Sequence, residues 1–315
     1  MSVPPIELPD PVRIGRKTYR PIRVLDRGFV RLVDVMGDDS SIVQAARVSY
    51  GKGTKRVRED RGLINYLMRH FHTTPFEMVE FKFHCKMPIF VARQWVRHRT
   101  ANINEYSGRY SVMKEEFYLP PLSKVGFQSK TNRQGREDAH APRAFAARFR
   151  KILKESQEKT YAMYKGFVDE NLSRELARIG LPLNLYTEWY WKIDLHNLMH
   201  FLWLRMDPHA QWEIREYATA MSRYVKEVTP LAWDAFEEYR LYGASFGRAE
   251  IKALNTLIEG KQLSGGDIPN KMWLREFETK LGRALPLSDK AKAELERKSH
   301  QFSDDGAYKA KKKHS

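Results

Sequence analysis

Between Gln94 and Tyr110 the sequence concentrates groups that bind anions. Arg97, His98, Arg99 and Arg109 lie there, with Gln94, Asn104, Glu105 and Ser107 around them. A guanidinium presents a flat fork of donors that grips phosphate or a planar carbonyl edge by paired hydrogen bonds, which a lysine does not imitate. So many forks among amides, a carboxylate and a hydroxyl suit a site for anionic, planar, phosphorylated ligands. Arg97 and Arg99 alone would also suit the negative end of a helix dipole. That simpler account gives no reason for Asn104, Glu105, Ser107 and Arg109.

Other reactive residue types point to quieter roles. Residues 80–87 alternate strictly, Phe81, Phe83, Cys85 and Met87 one way and Lys82, His84 and Lys86 the other, as in a half-buried strand. Cys85 is then a core thiol and not a nucleophile. Ser107 has no Ser-His-Asp spacing behind it, so phosphate binding suits it better than nucleophilic attack. His196 and His200 stand at i, i+4 and could ligate a metal, but no zincin glutamate lies between them and no metal is expected. Thr74-Pro75-Phe76-Glu77 reads as a helix start, with Thr74 as N-cap, Pro75 in the first turn and Glu77 reaching back. The N–H groups exposed there could also receive a phosphate.

The elements that must hold these residues follow from periodicity. Residues 19–26 and 29–36 read as a hairpin or neighbouring strands around Arg27-Gly28. Helices are predicted over residues 39–48, ending near Ser49-Tyr50-Gly51, and over 58–71, with Leu63, Ile64, Leu67 and Met68 on one face. Pro88 opens a helix through Phe90, Val91, Trp95 and Val96, and the Arg-His-Arg cluster emerges at its end. Residues 120–142 are polar and irregular and read as a flexible insertion or surface loop. A long amphipathic helix over 143–170 would bury Phe145, Phe149, Ile152, Tyr164, Phe167 and Val168. A short helix over 174–178 stops at Gly180-Leu181-Pro182. The spacing of Trp191, Leu195, Leu198 and Leu202 predicts a helix over 188–205. Asp207-Pro208 and Thr229-Pro230 read as caps of two more helices. After Ser245, charged helical segments over 248–258, 271–281 and 289–299 contain no chemical constellation.

The chain has 315 residues, 42% of them hydrophobic and 12% aromatic, enough for one large domain with an appendage. No apolar run is long enough to span a membrane. The first ten residues do not read as a secretory signal. A single cysteine excludes an internal disulfide and agrees with a cytoplasmic location. The formal charge of +16 calls for anionic partners without saying whether they are nucleic acids, membranes or phosphorylated small molecules. Part of that excess is the terminal Lys309-Ala310-Lys311-Lys312-Lys313, read as a solvated tail.

Arg97-His98-Arg99, Asn104-Glu105, Ser107 and Arg109-Tyr110 together resemble the signature of the flavin-dependent thymidylate synthases. Other blocks follow in that family's order: His72-Thr73-Thr74-Pro75-Phe76-Glu77, then Ala177-Arg178-Ile179-Gly180-Leu181-Pro182. Leu198-Met199-His200-Phe201-Leu202-Trp203-Leu204-Arg205 and His209-Ala210-Gln211-Trp212-Glu213-Ile214-Arg215 complete the set. The resemblance covers about residues 20–243. Asn102 stands where the signature has serine, and Asp194, His196 and His200 where the family has asparagine, arginine and asparagine.

The resemblance implies an α+β fold, a sheet flanked by several helices, with a helical C-terminal extension. Residues 1–245 would be the catalytic domain, 246–303 the extension and 304–315 a basic, disordered tail. It implies a methyltransferase converting dUMP to dTMP, with 5,10-methylenetetrahydrofolate as carbon donor, FAD as hydride carrier and NADPH as reductant. By position, Arg205 would be catalytic, activating the uracil without an enzyme cysteine. Gln94, Arg97, Glu105, Ser107, Gly108, Arg109, Arg178 and Arg205 would hold dUMP, with Arg178 reaching a neighbouring subunit's nucleotide. Thr74, Glu77, Arg97, His98, Arg99, Asn104, Glu105, Asp194, His196 and His200 would contact FAD. Family members are homotetramers with active sites where subunits meet. A nucleic-acid-binding protein is the competing reading from charge, but the basic residues form no recognisable module and no specific nucleic acid is expected. A flavoprotein that has lost catalysis is opposed by the intact Arg178, Arg205 and signature.

Overall fold

The computed structural model describes residues 7–48, 57–130, 134–268 and 271–304. The chain divides into two compact units, Met1–Leu241 and Tyr242–Ser315. The end of the first predicted helix at Ser49-Tyr50-Gly51 and the lysine-rich tail fall outside the described residues.

The first unit begins with β1 (Val12–Ile14) and β2 (Lys17–Tyr19), a small hairpin. A second hairpin joins β3 (Ile22–Val24) to β4 (Gly28–Met36). Gly28 is required where they meet: a Cβ there would stand 2.7 Å from the Lys86 carbonyl and 2.8 Å from that of Val24. Next come α1 (Asp39–Val48) and α2 (Val57–Arg69), as the periodicity predicts. The segment Thr74–Met78 forms only a 3-10 turn, with Thr73 and not Thr74 as N-cap and no side-chain capping bond. The expected capping box is therefore absent: with Thr73 as N-cap, Glu77 falls one position past the residue that would reach back.

β5 (Glu80–Pro88) alternates as expected, and Phe81, Phe83, Cys85 and Met87 are fully buried. Its other face is not simply open. Lys86 is buried too, its ammonium 2.6 Å from Glu116 and 3.9 Å from Glu188. A buried lysine needs such partners to offset lost hydration.

After α3 (Ile89–Trp95), the signature runs into β6 (Asn102–Glu105), an exposed edge strand that the periodicity does not predict. Residues 120–142 also contain more order than their polarity suggests: β7 (Gly126–Gln128) and β8 (Arg136–His140) pair as a hairpin. α4 (Arg143–Asp169) has the expected length but not the expected burial. Tyr164 is buried, whereas Phe145, Phe149, Ile152 and Phe167 are exposed in the single chain. α5 (Arg174–Ala177) leads into a 3-10 turn over Arg178–Gly180.

The largest departure lies at residues 186–205, expected to form one helix from residue 188 on. They split into β9 (Tyr186–Asp194) and α6 (Leu195–Met206). β9 is a central strand, paired antiparallel with β5 on one side and β6 on the other. Trp189, Trp191 and Ile193 alternate inward with Glu188, Tyr190 and Lys192 opposite, a period of two that outweighs the helical spacing of Trp191 and Leu195. The sheet order is β3-β4-β5-β9-β6.

α7 (Trp212–Val228) starts at Gln211, so Asp207 ends α6 and does not cap the next helix. α8 (Pro230–Phe236) follows Thr229 but is capped from afar: both Asp39 carboxylate oxygens accept from its first turn, at 2.8 and 2.9 Å. It continues as a π-helical turn over Glu237–Leu241.

An aromatic knot locks α3 and α6 to the sheet. Trp95 meets Trp189 and Trp191 edge-on at 5.3 and 5.2 Å and stacks on Phe201 at 5.0 Å. Because the residues following Trp95 and Phe201 bear the site, this packing sets where His98 and Arg205 emerge.

The second unit has its own helices, α9 (Arg248–Ile258), α10 (Lys271–Leu281) and α11 (Asp289–Asp304). They enclose Ala253, Leu263, Ile268, Leu274, Phe277, Leu285 and Leu295. Glu250 is buried there, ion-paired with Lys280 at 2.7 Å.

Candidate active site

α6 brings its last turn against the end of α3. Arg205 Nε donates to His98 Nε2 at 3.0 Å, across 107 residues of sequence. The His98 ring packs edge-on against Phe201 at 4.9 Å and meets His200 at 6.1 Å. Burial, then the charges of Arg205 and His200, push the His98 pKa down to about 4. It is therefore neutral near pH 7 and able to accept. Burial also lowers the Arg205 pKa, though an arginine stays charged. Among the described residues no carboxylate pairs with Arg205. The bond to His98 is to a neutral acceptor, so it does not offset the charge of Arg205. Burial, then His196 and Arg205, likewise lower the His200 pKa.

The 3-10 turn bearing Thr74 and Glu77 packs on α6 and β9, bringing it beside the helix that holds His196 and His200. Asp194 is already occupied as the N-cap of α6, accepting from Asn197 N at 2.9 Å and Asn197 Nδ2 at 2.7 Å. Arg97 and Arg99 follow α3 as exposed cations, and among the described residues neither meets a carboxylate. No group of three His, Cys, Asp or Glu side chains converges as a metal site among the described residues.

β6 places Glu105 opposite Trp189 and Asn104 opposite Tyr190. Thr187 Oγ1 donates to Glu105 Oε1 at 2.7 Å and so orients the carboxylate. Sequence reasoning missed Thr187 because it lay just before a supposed helix. Read as strand, it is two residues from Trp189 and on the same face.

Beyond β6 the chain turns sharply at Ser107, whose carbonyl accepts from Tyr110 N and Ser111 N, both at 3.1 Å. Gly108 is buried there, and a Cβ would lie 2.8 Å from Met113 Sδ and 3.2 Å from Arg178 Cδ. Arg178 thus runs alongside the turn of its own chain, with an exposed end that meets no carboxylate among the described residues. Arg109 pairs loosely with Glu175 at 3.4 Å, and Arg174 donates to the Tyr110 carbonyl at 3.0 Å. Ser107, Gly108, Arg109 and Arg178 form a second cluster, chemically suited to a phosphate.

Gln94 does not stand alone. Its amide donates to Gln211, which donates to the buried Glu213 at 2.9 Å. Tyr118 and Arg136 also donate to Glu213, at 3.0 and 3.2 Å. Of these supports the sequence singled out none, although Gln211 and Glu213 lie within a quoted block.

Residues 31–231 match the family model described as thymidylate synthase complementing protein. The chain is 53% identical over 269 residues to the flavin-dependent thymidylate synthase of Rickettsia conorii, covering 81% of this chain and 92% of that one. It is 60% identical over 237 residues to that of Thermus thermophilus, covering 75% and 86%. Among solved structures it resembles the UMP/dUMP methylase PolB from Streptomyces cacaoi bound with 5-Br dUMP. That match has a TM-score of 0.63 and 30% identity, covering 70% of this chain and 99% of the other. The signature between α3 and the turn after β6, Arg178 in the 3-10 turn after α5 and Arg205 on α6 all lie within the matched region. The chain belongs to the flavin-dependent thymidylate synthase family.

Proposed function

We propose that this protein converts dUMP to dTMP, taking its carbon from 5,10-methylenetetrahydrofolate and using FAD with NADPH as reductant. The observation that supports this reading most directly is Arg205, charged, half-buried and, among the described residues, tethered only by neutral His98. Methylation at C5 of uracil requires electron density on that carbon. A guanidinium beside the ring stabilises its ionised form, and does so best where water is scarce. The structure neighbour bound with 5-Br dUMP supports a uracil nucleotide as substrate.

Ser107, the Gly108 backbone, Arg109 and Arg178 suit the nucleotide phosphate, while Gln94, Arg97 and Glu105 suit its base and sugar. The residues present also fit a flavin dinucleotide. Arg97 and Arg99 are exposed forks that meet no carboxylate among the described residues, right for its pyrophosphate, and His98, Asn104, His196 and His200 offer donors and acceptors for a planar ring. Thr74 and Glu77 stand by the same helix. Asp194, spent on Asn197, acts by fixing where α6 begins. When bound, FAD supplies hydride transfer, which no side chain of this protein can perform.

The working unit in this reading is a cytoplasmic homotetramer with sites between subunits. Support comes from the apolar side chains exposed on α4 and at Leu176, Ile179 and Leu183 of the single chain. Residues 1–245 form the catalytic domain, 246–303 a helical extension and 304–315 a basic tail.

Purified protein is expected to show a flavin absorption band that bleaches with NADPH, and to form dTMP from dUMP and methylenetetrahydrofolate. A colourless protein that cannot take up FAD would sink the reading. Cys85 offers a second test. It is fully buried, and burial pushes its thiol pKa well up, so it supplies no thiolate. Cys85→Ala is expected to retain activity and to cost about 1 kcal/mol of stability. Loss of dTMP formation with an unchanged melting temperature would point to cysteine catalysis instead.

A further inference from the structure

A chamber of about 450 Å³ lies between the β7–β8 hairpin and the 208–212 segment that joins α6 to α7. Its size is that of a small-molecule site. Three cationic side chains, Lys124, Arg136 and Arg215, and one carboxylate, Glu137, line it. Trp212 forms part of the wall, with Lys124 Nζ 4.9 Å and Arg136 Cζ 5.7 Å from its ring centre.

The wall is built and braced. Arg136 is held by two 3.2 Å bonds to Glu213, which is 2% exposed, and by a 2.8 Å bond to the Lys124 carbonyl. Arg215 donates to the Pro208 carbonyl at 3.0 Å. Lys124 and Arg215 meet no carboxylate among the described residues, and Arg215 is half-buried. Two cations without carboxylate partners, against the one lining carboxylate Glu137, leave the cavity with a positive excess that favours an anion entering it. Gln211 lines the chamber and also accepts from Gln94, so the cavity adjoins the candidate active site through one shared side chain. The phosphate cluster at Ser107, Arg109 and Arg178 is separate from it and is already suited to the nucleotide.

We propose that this chamber is an anion-binding subsite for the multiply charged end of a co-substrate whose reacting end lies at Arg205. The inference rests on the methylation reading above. Two co-substrates have the required chemistry: the phosphates of the nicotinamide dinucleotide and the carboxylates of a folate glutamyl chain. The subsite holds charge and not the reacting ring, so its loss raises KM and spares kcat.

The test is steady-state kinetics of the flavin-loaded protein and its K124A/R215A variant, with NADPH varied, then with methylenetetrahydrofolate bearing one or four glutamyl residues. The variant is expected to raise one KM by about tenfold or more, with kcat and the KM for dUMP within about twofold. A rise for NADPH identifies the dinucleotide; a rise for the tetraglutamyl folate alone identifies the glutamyl chain. The charge-retaining K124R/R215K variant is expected to restore the lost affinity. If the double variant melts early, K124Q, which keeps the aliphatic stem over Trp212, repeats the measurement. Unchanged KM values for both co-substrates overturn the subsite while dTMP formation leaves the reaction intact. If the unaltered protein forms no dTMP, the reaction itself is misread and the subsite falls with it.

Discussion

Arg205→Ala is expected to lower kcat for dTMP formation by roughly 10³-fold or more while leaving a folded, yellow protein. The magnitude follows from what the side chain would do. Removing one preorganised donor to a developing negative charge costs roughly 10²–10³-fold in known cases, and Arg205 presents a full charge as well as a fork. The fold should tolerate the loss. Arg205 is only half-buried, sits in the last turn of α6, and its one bonded partner among the described residues is His98. Leu198, Phe201 and Leu202, which bind α6 to the core, are untouched. Arg205→Lys should rescue poorly, because an ammonium cannot donate to His98 and present a flat fork to the base at once. Near-normal turnover in the alanine variant would remove Arg205 from the mechanism.

The candidate site was legible as a set of residue types that cluster in sequence. Arg97 to Arg109 reads as an anion site from spacing, the ordered blocks add Arg178 and Arg205, and the structure brings Arg205 to His98 and Arg178 to Gly108. The contacts were not legible. Nothing in the sequence says that His98 and Arg205 touch, since the bond depends on Trp95 and Phe201 stacking between α3 and α6.

The fold failed to show through where two periodicities overlapped. Trp191, Leu195, Leu198 and Leu202 satisfy helical spacing, but they straddle a junction marked by Asp194, whose capping bond to Asn197 starts the helix. β6 escaped notice because a four-residue edge strand, Asn-Ile-Asn-Glu, is exposed throughout and has no buried alternation to display. On α4 the apolar pattern was read correctly as a stripe, yet a stripe does not say what covers it. In the single chain Phe149 and Ile152 are exposed.

His98 should hold its proton state in a way that an ordinary histidine does not, with consequences for both activity and stability. Its Nε2 must be unprotonated to accept from Arg205, and burial with the nearby Arg205 charge lowers its pKa from the usual 6.5 to about 4. Because the folded value lies below the unfolded one, the unfolded chain takes up this proton first as pH falls. The stability contributed by neutral His98 is therefore complete above about pH 6.5 and is lost progressively as pH falls toward 4. Over the same window the Arg205 tether persists in the folded protein, so dTMP formation should show no acid limb near 6.5 arising from this ring. His98→Phe keeps a flat ring against Phe201 but removes the acceptor. It is expected to cut kcat by about 10²-fold, the usual penalty when a reacting group drifts by an ångström. His98→Gln, whose amide oxygen accepts at every pH, should recover part of that loss. Nitrogen chemical shifts of the His98 ring would report its protonation directly. A ring that titrates near 6.5 in the folded protein, or a phenylalanine variant with undiminished kcat, would deny His98 its positioning role and leave Arg205 to be held by the ligands it binds.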